Sequence, residues 1–308
     1  MLDFAIVGGG PAGLTAGLYA TRGGLKNVTM FEKGLPGGQI TQSSEIENYP
    51  GQIEVVTGMQ MMDKWPEQCQ RFGLKHDMSE VKQITKQDDI FTIILGNKKE
   101  IQAKSVLIAT GSVPKPANIK GEIEFFGRGV STCATCDGFF YKNKEVAVLG
   151  GGDTALEEAL YLANICSKVY VIHRREEFRA SPITVEKVKS NSKIELVLNS
   201  GIKKVYGDNM GVTGVLTIDH DGKERDLSVP GIFVFVGMLP QNKILKDGKK
   251  TLCELNSAGE VVVDLKMQTS LPGLFCAGDL RCDAAKQVVC AAGDGATAGV
   301  NIIKYINE

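Results

Sequence analysis

The segment Cys133-Ala134-Thr135-Cys136-Asp137-Gly138 places two cysteines two residues apart and a carboxylate directly after the second. A dithiol at this spacing alternates between disulfide and thiolate at moderate potential. Asp137 beside it can donate or relay a proton to the thiol that leaves. Cys133, Cys136 and Asp137 are therefore the candidate catalytic residues. They lie between two glycine-rich loops, Gly8-Gly9-Gly10-Pro11-Ala12-Gly13 and Gly150-Gly151-Gly152-Asp153-Thr154-Ala155. Two dinucleotide loops and a dithiol make an electron path from a pyridine nucleotide through a flavin to a disulfide. Each motif alone is ambiguous; their order and spacing are not.

The elements around the first loop give it context. Phe4–Val7 reads as a short buried strand, Leu14–Arg22 as the helix and Val28–Phe31 as the next strand, ending at Glu32. This is a βαβ unit within about thirty residues. Gly8, Gly10 and Gly13 permit the tight turn, the close approach of backbone to pyrophosphate and tight helix–strand packing. Pro11 and Ala12 fall where the first helical turn begins, and proline is tolerated there. Glu32 stands about twenty residues on, where an acid binds a ribose hydroxyl. FAD or NAD would satisfy this loop.

The second unit runs from strand Glu145–Leu149 through the loop, with Gly150, Gly152, Asp153 and Thr154 at its turn. Helix Asp153–Asn164 and strand Val169–His173 follow. That strand ends not in an acid but in His173-Arg174-Arg175, with Arg179 one turn further. Arginines suit a 2′-phosphate, so the expected ligand is NADPH. The competing reading is a solvated basic patch whose arginines pair with Glu176 and Glu177.

Elsewhere, apolar residues from Met62 through Trp65, Cys69 and Phe72 recur at helical spacing, with Pro66 expected to kink or delay the helix. Phe91–Leu95, the Gly96-Asn97 turn and Ile101–Ala109 read as antiparallel strands. Asp221-Gly222 marks a hairpin, and Val229–Val236 and Gly273–Ala277 read as further strands. A closing helix begins near Gly293. Thr110–Pro116 and Gly237–Pro240 are plausible linkers, so the second nucleotide domain is inserted within the first. The expected division is residues 1–112 and 241–308 for the first domain, and 113–240 for the second, which carries the dithiol.

Bulk properties narrow the classes. A chain of 308 residues, 43% hydrophobic, holds roughly two domains of ordinary size. With 35 basic against 36 acidic residues there is no basic footprint for nucleic acid. The most apolar long stretch, Val229–Leu239, is too short for a membrane span and contains Pro230. The amino terminus enters a strand at once, without a basic n-region, so a cytoplasmic location is expected. In a reducing compartment a disulfide is more often catalytic than structural. The remaining cysteines show no second paired cluster of the kind zinc requires, and Cys276, Cys282 and Cys290 read as core or incidental thiols.

The sequence resembles the low-molecular-weight, bacterial-type thioredoxin reductases of the pyridine nucleotide-disulfide oxidoreductase family over its whole length. The matching motifs are Gly8–Gly13, Gly37-Gly38-Gln39, Glu47-Asn48-Tyr49-Pro50-Gly51, Ala109-Thr110-Gly111, Cys133–Gly138, His173-Arg174-Arg175 with Phe178-Arg179, and Ala277-Gly278-Asp279. The resemblance implies an α/β fold with two Rossmann-like, three-layer ββα domains, the NADPH domain inserted in a discontinuous FAD domain. It implies FAD contacts from the first loop, Glu32, Gly38, Gln39 and Asn48. Gly278 and Asp279 would meet the ribityl chain, and Lys286, Gln287 and Val288 the ring. Cys136 would exchange electrons with the flavin, and Cys133 would attack the disulfide of thioredoxin while Asp137 supplies the proton. Phe139, Phe140 and Arg128 would form the docking surface. Homodimerisation and a rotation of the NADPH domain about the two linkers are also implied. The chain departs from the family at Lys286-Gln287-Val288, where Arg-Gln-Ala is usual; the charge is kept and the contact at the flavin changes.

Other functions fit less well. Relatives that serve ferredoxin, flavodoxin or a quinone lack the dithiol. A peroxidase-coupled reductase would need an extra amino-terminal disulfide domain, and the larger thioredoxin reductases a carboxy-terminal redox tail. A dithiol oxidase would not need the arginines, and a non-catalytic dinucleotide-binding sensor would not need Asp137 beside the cysteines.

Overall fold

The computed structural model describes residues 1–43, 46, 48–248 and 250–308, so Glu47 of the family motif lies outside the described residues. The chain opens with β1 (Leu2–Val7), α1 (Pro11–Arg22) and β2 (Val28–Phe31). Next come α2 (Gly58–Met62), α3 (Trp65–Arg71), β3 (Lys75–Asp77), β4 (Val81–Gln87), β5 (Ile90–Leu95) and β6 (Glu100–Ile108). β7 (Ser112–Pro114) leads to β8 (Val130–Ser131), α4 (Ala134–Asp137), β9 (Glu145–Leu149), α5 (Asp153–Ile165) and β10 (Lys168–Ile172). α6 (Pro182–Ser190), β11 (Ile194–Val197), β12 (Ser200–Asp208), β13 (Gly211–Asp219), β14 (Glu224–Leu227) and β15 (Ile232–Val234) complete that stretch. β16 (Met238–Pro240), β17 (Lys246–Asp247), β18 (Lys250–Thr251), β19 (Leu274–Cys276) and α7 (Val288–Asn307) close the chain.

These elements form two compact Rossmann-like units, Met1–Val113 with Leu239–Glu308, and Pro114–Met238. β7 and β16, the two connections, pair as a short ribbon.

In the first unit the sheet runs β3-β2-β1-β6-β5-β4, with β19 also pairing β6. β1 is parallel to β2 and β6, while β5 is antiparallel to β6. Side chains alternate across a strand, so β1 serves two cores at once. Phe4 and Ile6 pack with Leu14, Ala16 and Ala20 of α1 and with Ala298 and Ile302 of α7. Ala5 and Val7 face Phe91 and Ile93 of β5 and Leu245 on the opposite side. The two helices touch backbone to backbone: a Cβ at Gly295 would lie 2.2 Å from the carbonyl oxygen of Ala12.

The second unit has an all-parallel sheet, β11-β10-β9-β15-β8, and a separate antiparallel ribbon β12-β13-β14. Alternation again divides the cores. Val146 and Val148 pack under α5 with Leu156 and Leu162, and Ala147, Tyr170 and Ile172 face the ribbon side with Val205 and Val215. Asp221-Gly222 lies between β13 and β14, as the turn signal predicts.

Pro66 delays the helix as expected: α2 ends at Met62 and α3 starts at Trp65, with Pro66 in its first turn, where its missing N–H costs nothing. Two local expectations change. α7 starts at Val288 rather than Gly293; its glycines lower propensity but let it lie against α1. The strand expected over Val229–Val236 is confined to Ile232–Val234.

Candidate active site

β8 is a parallel edge strand, and the redox segment follows its carboxyl end, as the second glycine loop follows that of β9. Ligands of open parallel sheets collect at that end. Cys133 is the N-cap of α4 with extended backbone, and α4 carries Cys136. The two cysteines form a disulfide with Cα atoms 5.3 Å apart, and both are half-buried.

Ser131, the last residue of β8, organises the other groups. Its Oγ donates to Oδ2 of Asp137 at 2.6 Å and accepts from the N–H of Cys133 at 3.1 Å. Burial pushes the Asp137 carboxyl above its ordinary range, and the Ser131 bond opposes this by favouring the charged form. Tyr141, in the turn that follows, is pushed up to about 12, mainly by burial and further by Asp137. Sequence reasoning missed Ser131, which no motif marks. Phe139 and Arg128, expected on a docking surface, are exposed. Arg128 is held by its Nη2 donating to the carbonyl of Glu124 at 2.9 Å.

In the first unit the expected cofactor residues converge on the amino end of α1. Gly10 is its N-cap, Pro11, Ala12 and Gly13 form its first turn, and no side chain caps it. Uncapped N–H groups at a helix start favour an anion. The packing leaves little room for side chains. A Cβ at Gly13 would lie 2.0 Å from the Gly8 carbonyl oxygen, and one at Gly8 2.3 Å from that of Ala109. A Cβ at Gly38 would lie 2.8 Å from Gly10 Cα. Gly38 is also the N-cap of the single turn Gln39–Gln42. Glu32 is drawn under the loop, its Oε2 accepting from Gly9 N–H at 2.9 Å and its Oε1 from Gly34 N–H at 3.1 Å.

From the far end of the chain, Gly278 brings its α-carbon against Ala12, where an added Cβ would lie 3.1 Å from the Ala12 Cβ. Burial raises Asp279, and Lys286 opposes the rise. Asn48 Nδ2 donates to Oε1 of Gln287 at 3.3 Å, and Val288 opens α7. Lys286 has positive φ (55°) and its Nζ lies 3.7 Å from Glu260 Oε1. Behind them Asp294 clamps Arg281 through two oxygens (2.7 and 3.1 Å) and accepts from Gly278 N–H.

In the second unit Gly150 has φ of 156° and a Cβ there would meet the Phe235 carbonyl oxygen at 2.5 Å. Gly152, the N-cap of α5, borders open space, with nothing within 4 Å of an added Cβ. Asp153 and Thr154 are exposed in the first turn, and Asp153 Oδ1 accepts from Ser181 N–H at 2.7 Å. His173 differs from the arginines that follow it. It is buried, stacked on Phe178 at 5.2 Å, and lies beneath the loop, where a Cβ at Gly151 would strike its ring. Burial holds its pKa below the usual value. Arg174, Arg175 and Arg179 are exposed, and Arg179 N–H donates to Gly151 O at 2.8 Å. Among the described residues, no ion pair joins these arginines to Glu176 or Glu177. The pairing that the solvated-patch reading needs is therefore not formed.

Cys253 and Cys276 are buried, with their thiols raised by burial, whereas Cys282 and Cys290 are half-buried. No helix of the described residues is long and apolar enough to cross a membrane.

The family profile "Pyridine nucleotide-disulphide oxidoreductase" matches residues 2–295. The chain is 59% identical over 311 residues to thioredoxin reductase of Helicobacter pylori (strain J99), covering 100% of both chains. It is 39% identical to thioredoxin reductase of Listeria monocytogenes, covering 99% of this chain and 94% of that one. Among solved structures, thioredoxin reductase from Streptococcus pyogenes MGAS5005 superposes with a TM-score of 0.92 at 37% identity, covering 100% of this chain and 98% of that one. The chain belongs to the pyridine nucleotide-disulphide oxidoreductase family, and within it to the bacterial-type thioredoxin reductases. Its cofactors are FAD and NADPH. The residues present fit two dinucleotides: each glycine loop leaves a helix start without a side-chain cap, one beside Glu32 and the other beside exposed arginines.

Proposed function

We propose that this protein reduces the disulfide of thioredoxin at the expense of NADPH. The observation that carries the reading is the half-buried Cys133–Cys136 disulfide beside the buried carboxyl of Asp137. Residues 1–112 and 241–308 form the FAD-binding domain in this reading, and residues 113–240 the NADPH-binding domain with the dithiol. FAD is held by the Gly8–Gly13 loop, Glu32, Gly38, Gln39, Asn48, Gly278, Asp279 and Lys286–Val288. NADPH is held by Gly150, Gly152, Asp153 and Thr154, with Arg174, Arg175 and Arg179 on its 2′-phosphate and His173 supporting the loop. Bound together, the two cofactors supply a hydride from NADPH through FAD, and so the electron pair that opens the disulfide.

The remaining chemistry belongs to the chain. Cys133, as thiolate, attacks one sulfur of the thioredoxin disulfide; a new S–S bond forms and the substrate's own breaks. Asp137 holds the proton that the departing sulfur takes, and burial keeps that proton on the carboxyl to higher pH. Cys136 then attacks Cys133, restoring the internal disulfide and releasing thioredoxin as a dithiol. Phe139, Phe140 and Arg128 form the docking surface. The protein acts as a cytoplasmic homodimer, a part of the reading that rests on the family resemblance and on the reducing surroundings a catalytic disulfide needs.

Capture of the mixed disulfide tests these roles. With Cys136→Ser, the half-buried Cys133 should form a covalent adduct with oxidised thioredoxin; with Cys133→Ser no such adduct should form. Adducts through Cys136 alone would reverse the assignment.

A further inference from the structure

Asp294 lies in the second turn of α7, where that helix meets the amino end of α1. Its neighbour Gly295 stands so close to the first turn of α1 that an added Cβ would lie 2.2 Å from the Ala12 carbonyl oxygen. Asp294 itself is buried, with 8% exposure. Gly278 reaches the same place from the end of β19: its φ is +76°, and an added Cβ would lie 3.1 Å from that of Ala12. Three stretches distant in sequence thus meet at Ala12.

The Asp294 carboxylate ties the turn Gly278–Arg281 at both ends. Its Oδ2 accepts from the N–H of Gly278 at 3.2 Å and from Nε of Arg281 at 2.7 Å, and its Oδ1 accepts from Nη2 of Arg281 at 3.1 Å. Arg281 closes the turn through its own backbone, its N–H donating to the Gly278 carbonyl at 3.0 Å. Its Nη1 donates to the carbonyl of Cys282, also at 3.0 Å. Asp279 is inside that turn. Replacing a buried ion pair by apolar side chains of similar volume is often neutral or stabilising, so packing α7 against α1 does not require one. A carboxylate with three directed, charge-assisted bonds fixes the path of the turn, which non-directional apolar contact does not.

Resting on the reading that Gly278 and Asp279 hold FAD, we infer that Asp294 and Arg281 are positioning residues for the flavin cofactor: they fix the Gly278–Arg281 turn so that Asp279 is presented to FAD. A binding group is only as well placed as the residues that lock it. Asp294 and Arg281 act through Asp279, so their contribution to FAD affinity exists only while the Asp279 carboxylate is there to be placed.

The test is a double-mutant cycle read by FAD affinity. Holoenzymes of wild type, Asp279→Ala, Asp294→Asn and the double variant are diluted in steps, and the fluorescence of released FAD gives a dissociation constant for each. Asparagine keeps an acceptor for Gly278 but loses the charge that grips Arg281. A bond to a charged group is worth about tenfold in an equilibrium, so Asp294→Asn should weaken FAD about tenfold. In the Asp279→Ala background the same change should add less than about twofold, because the group it places is gone. A merely structural role predicts independent losses that multiply, about tenfold again in that background, and this result would overturn the inference. So would an Asp294→Asn holoenzyme that holds FAD within about twofold of wild type. If that variant does not fold, Arg281→Lys carries the same cycle. The ammonium keeps the charge but not the two-pronged bond, and a loss of about threefold is expected, absent once Asp279 is alanine. Asp279→Ala that holds FAD as tightly as wild type would overturn the reading beneath the inference, and the inference with it. A loss in Asp279→Ala without one in the Asp294 or Arg281 variant overturns the inference alone.

Discussion

Ser131 Oγ stands 2.6 Å from Oδ2 of Asp137 while it accepts the N–H of Cys133 at 3.1 Å, so one hydroxyl ties the acid to the first cysteine. Its bond favours the charged carboxylate, whereas burial favours the protonated one and outweighs it. Removing the hydroxyl should therefore raise the Asp137 pKa further. Ser131→Ala should shift the alkaline limb of the turnover profile to higher pH, because the proton stays on the carboxyl longer. Steady-state rates from pH 6 to 9 check the direction.

Asp137→Asn removes the proton but keeps the shape. General acid catalysis contributes about 10²–10⁴-fold, and a loss of about a hundredfold in thioredoxin turnover is expected. Stability should move the other way. A carboxyl raised in the folded state stabilises below its unfolded pKa and loses that contribution as pH rises through the folded value. The Asn variant should thus gain melting temperature relative to wild type at pH 8 and not at pH 3, as read by thermal melts.

In the proposed reading, the exposed arginines set the choice of nucleotide. A hydrogen bond to a charged group is worth about 1.5–3 kcal/mol, and 1.4 kcal/mol is a factor of ten. Arg175→Ala should raise KM for NADPH by about tenfold and leave the KM for NADH within about twofold. Arg174→Ala should act in the same direction, and kinetics with both nucleotides measure it.

Gly13→Ala is a packing test of the first loop. Its Cβ would lie 2.0 Å from backbone, the Gly8 carbonyl oxygen, so α1 must move off β1. Overpacking of this kind costs about 1–3 kcal/mol. The variant should melt earlier and lose FAD on gel filtration, and absorbance of the eluted protein reads the loss.

Arg281 and Asp294 form a nearly buried, two-oxygen ion pair, with side-chain exposures of 18% and 10%. Breaking one partner of such a pair costs about 3–5 kcal/mol. Asp294→Asn should destabilise at the lower end of that range, about 3 kcal/mol, since the amide oxygen still accepts from Gly278. Denaturant unfolding measures it.

How far the sequence led depends on the range of the interactions. Both glycine loops, with the strand before and the strand after each, were legible because a βαβ unit is local and its periodicity changes sharply at the glycines. The Asp221-Gly222 turn was legible for the same reason. α7 was misjudged at its start, since Gly293, Gly295 and Gly299 look like loop residues until α1 lies against them. His173 reads as one of a basic trio, but only the packing distinguishes a buried imidazole under Gly151 from the exposed arginines after it. Ser131 was invisible. A serine before a cysteine carries no signal until β8 brings its hydroxyl to Asp137 and to the N–H of Cys133. Asn48 and Gln287, 239 residues apart, are connected in the sequence only through the cofactor contacts that the family resemblance implies.

The central claim is tested most directly by NADPH oxidation in the presence of oxidised thioredoxin, comparing wild type with Cys136→Ser and replacing NADPH by NADH. The account predicts rapid turnover with NADPH, little with NADH, and loss of thioredoxin reduction when Cys136 is changed. Thioredoxin reduction that persists in the Cys136→Ser enzyme, or flavin reduction by NADPH that leaves thioredoxin oxidised in wild type, would contradict it.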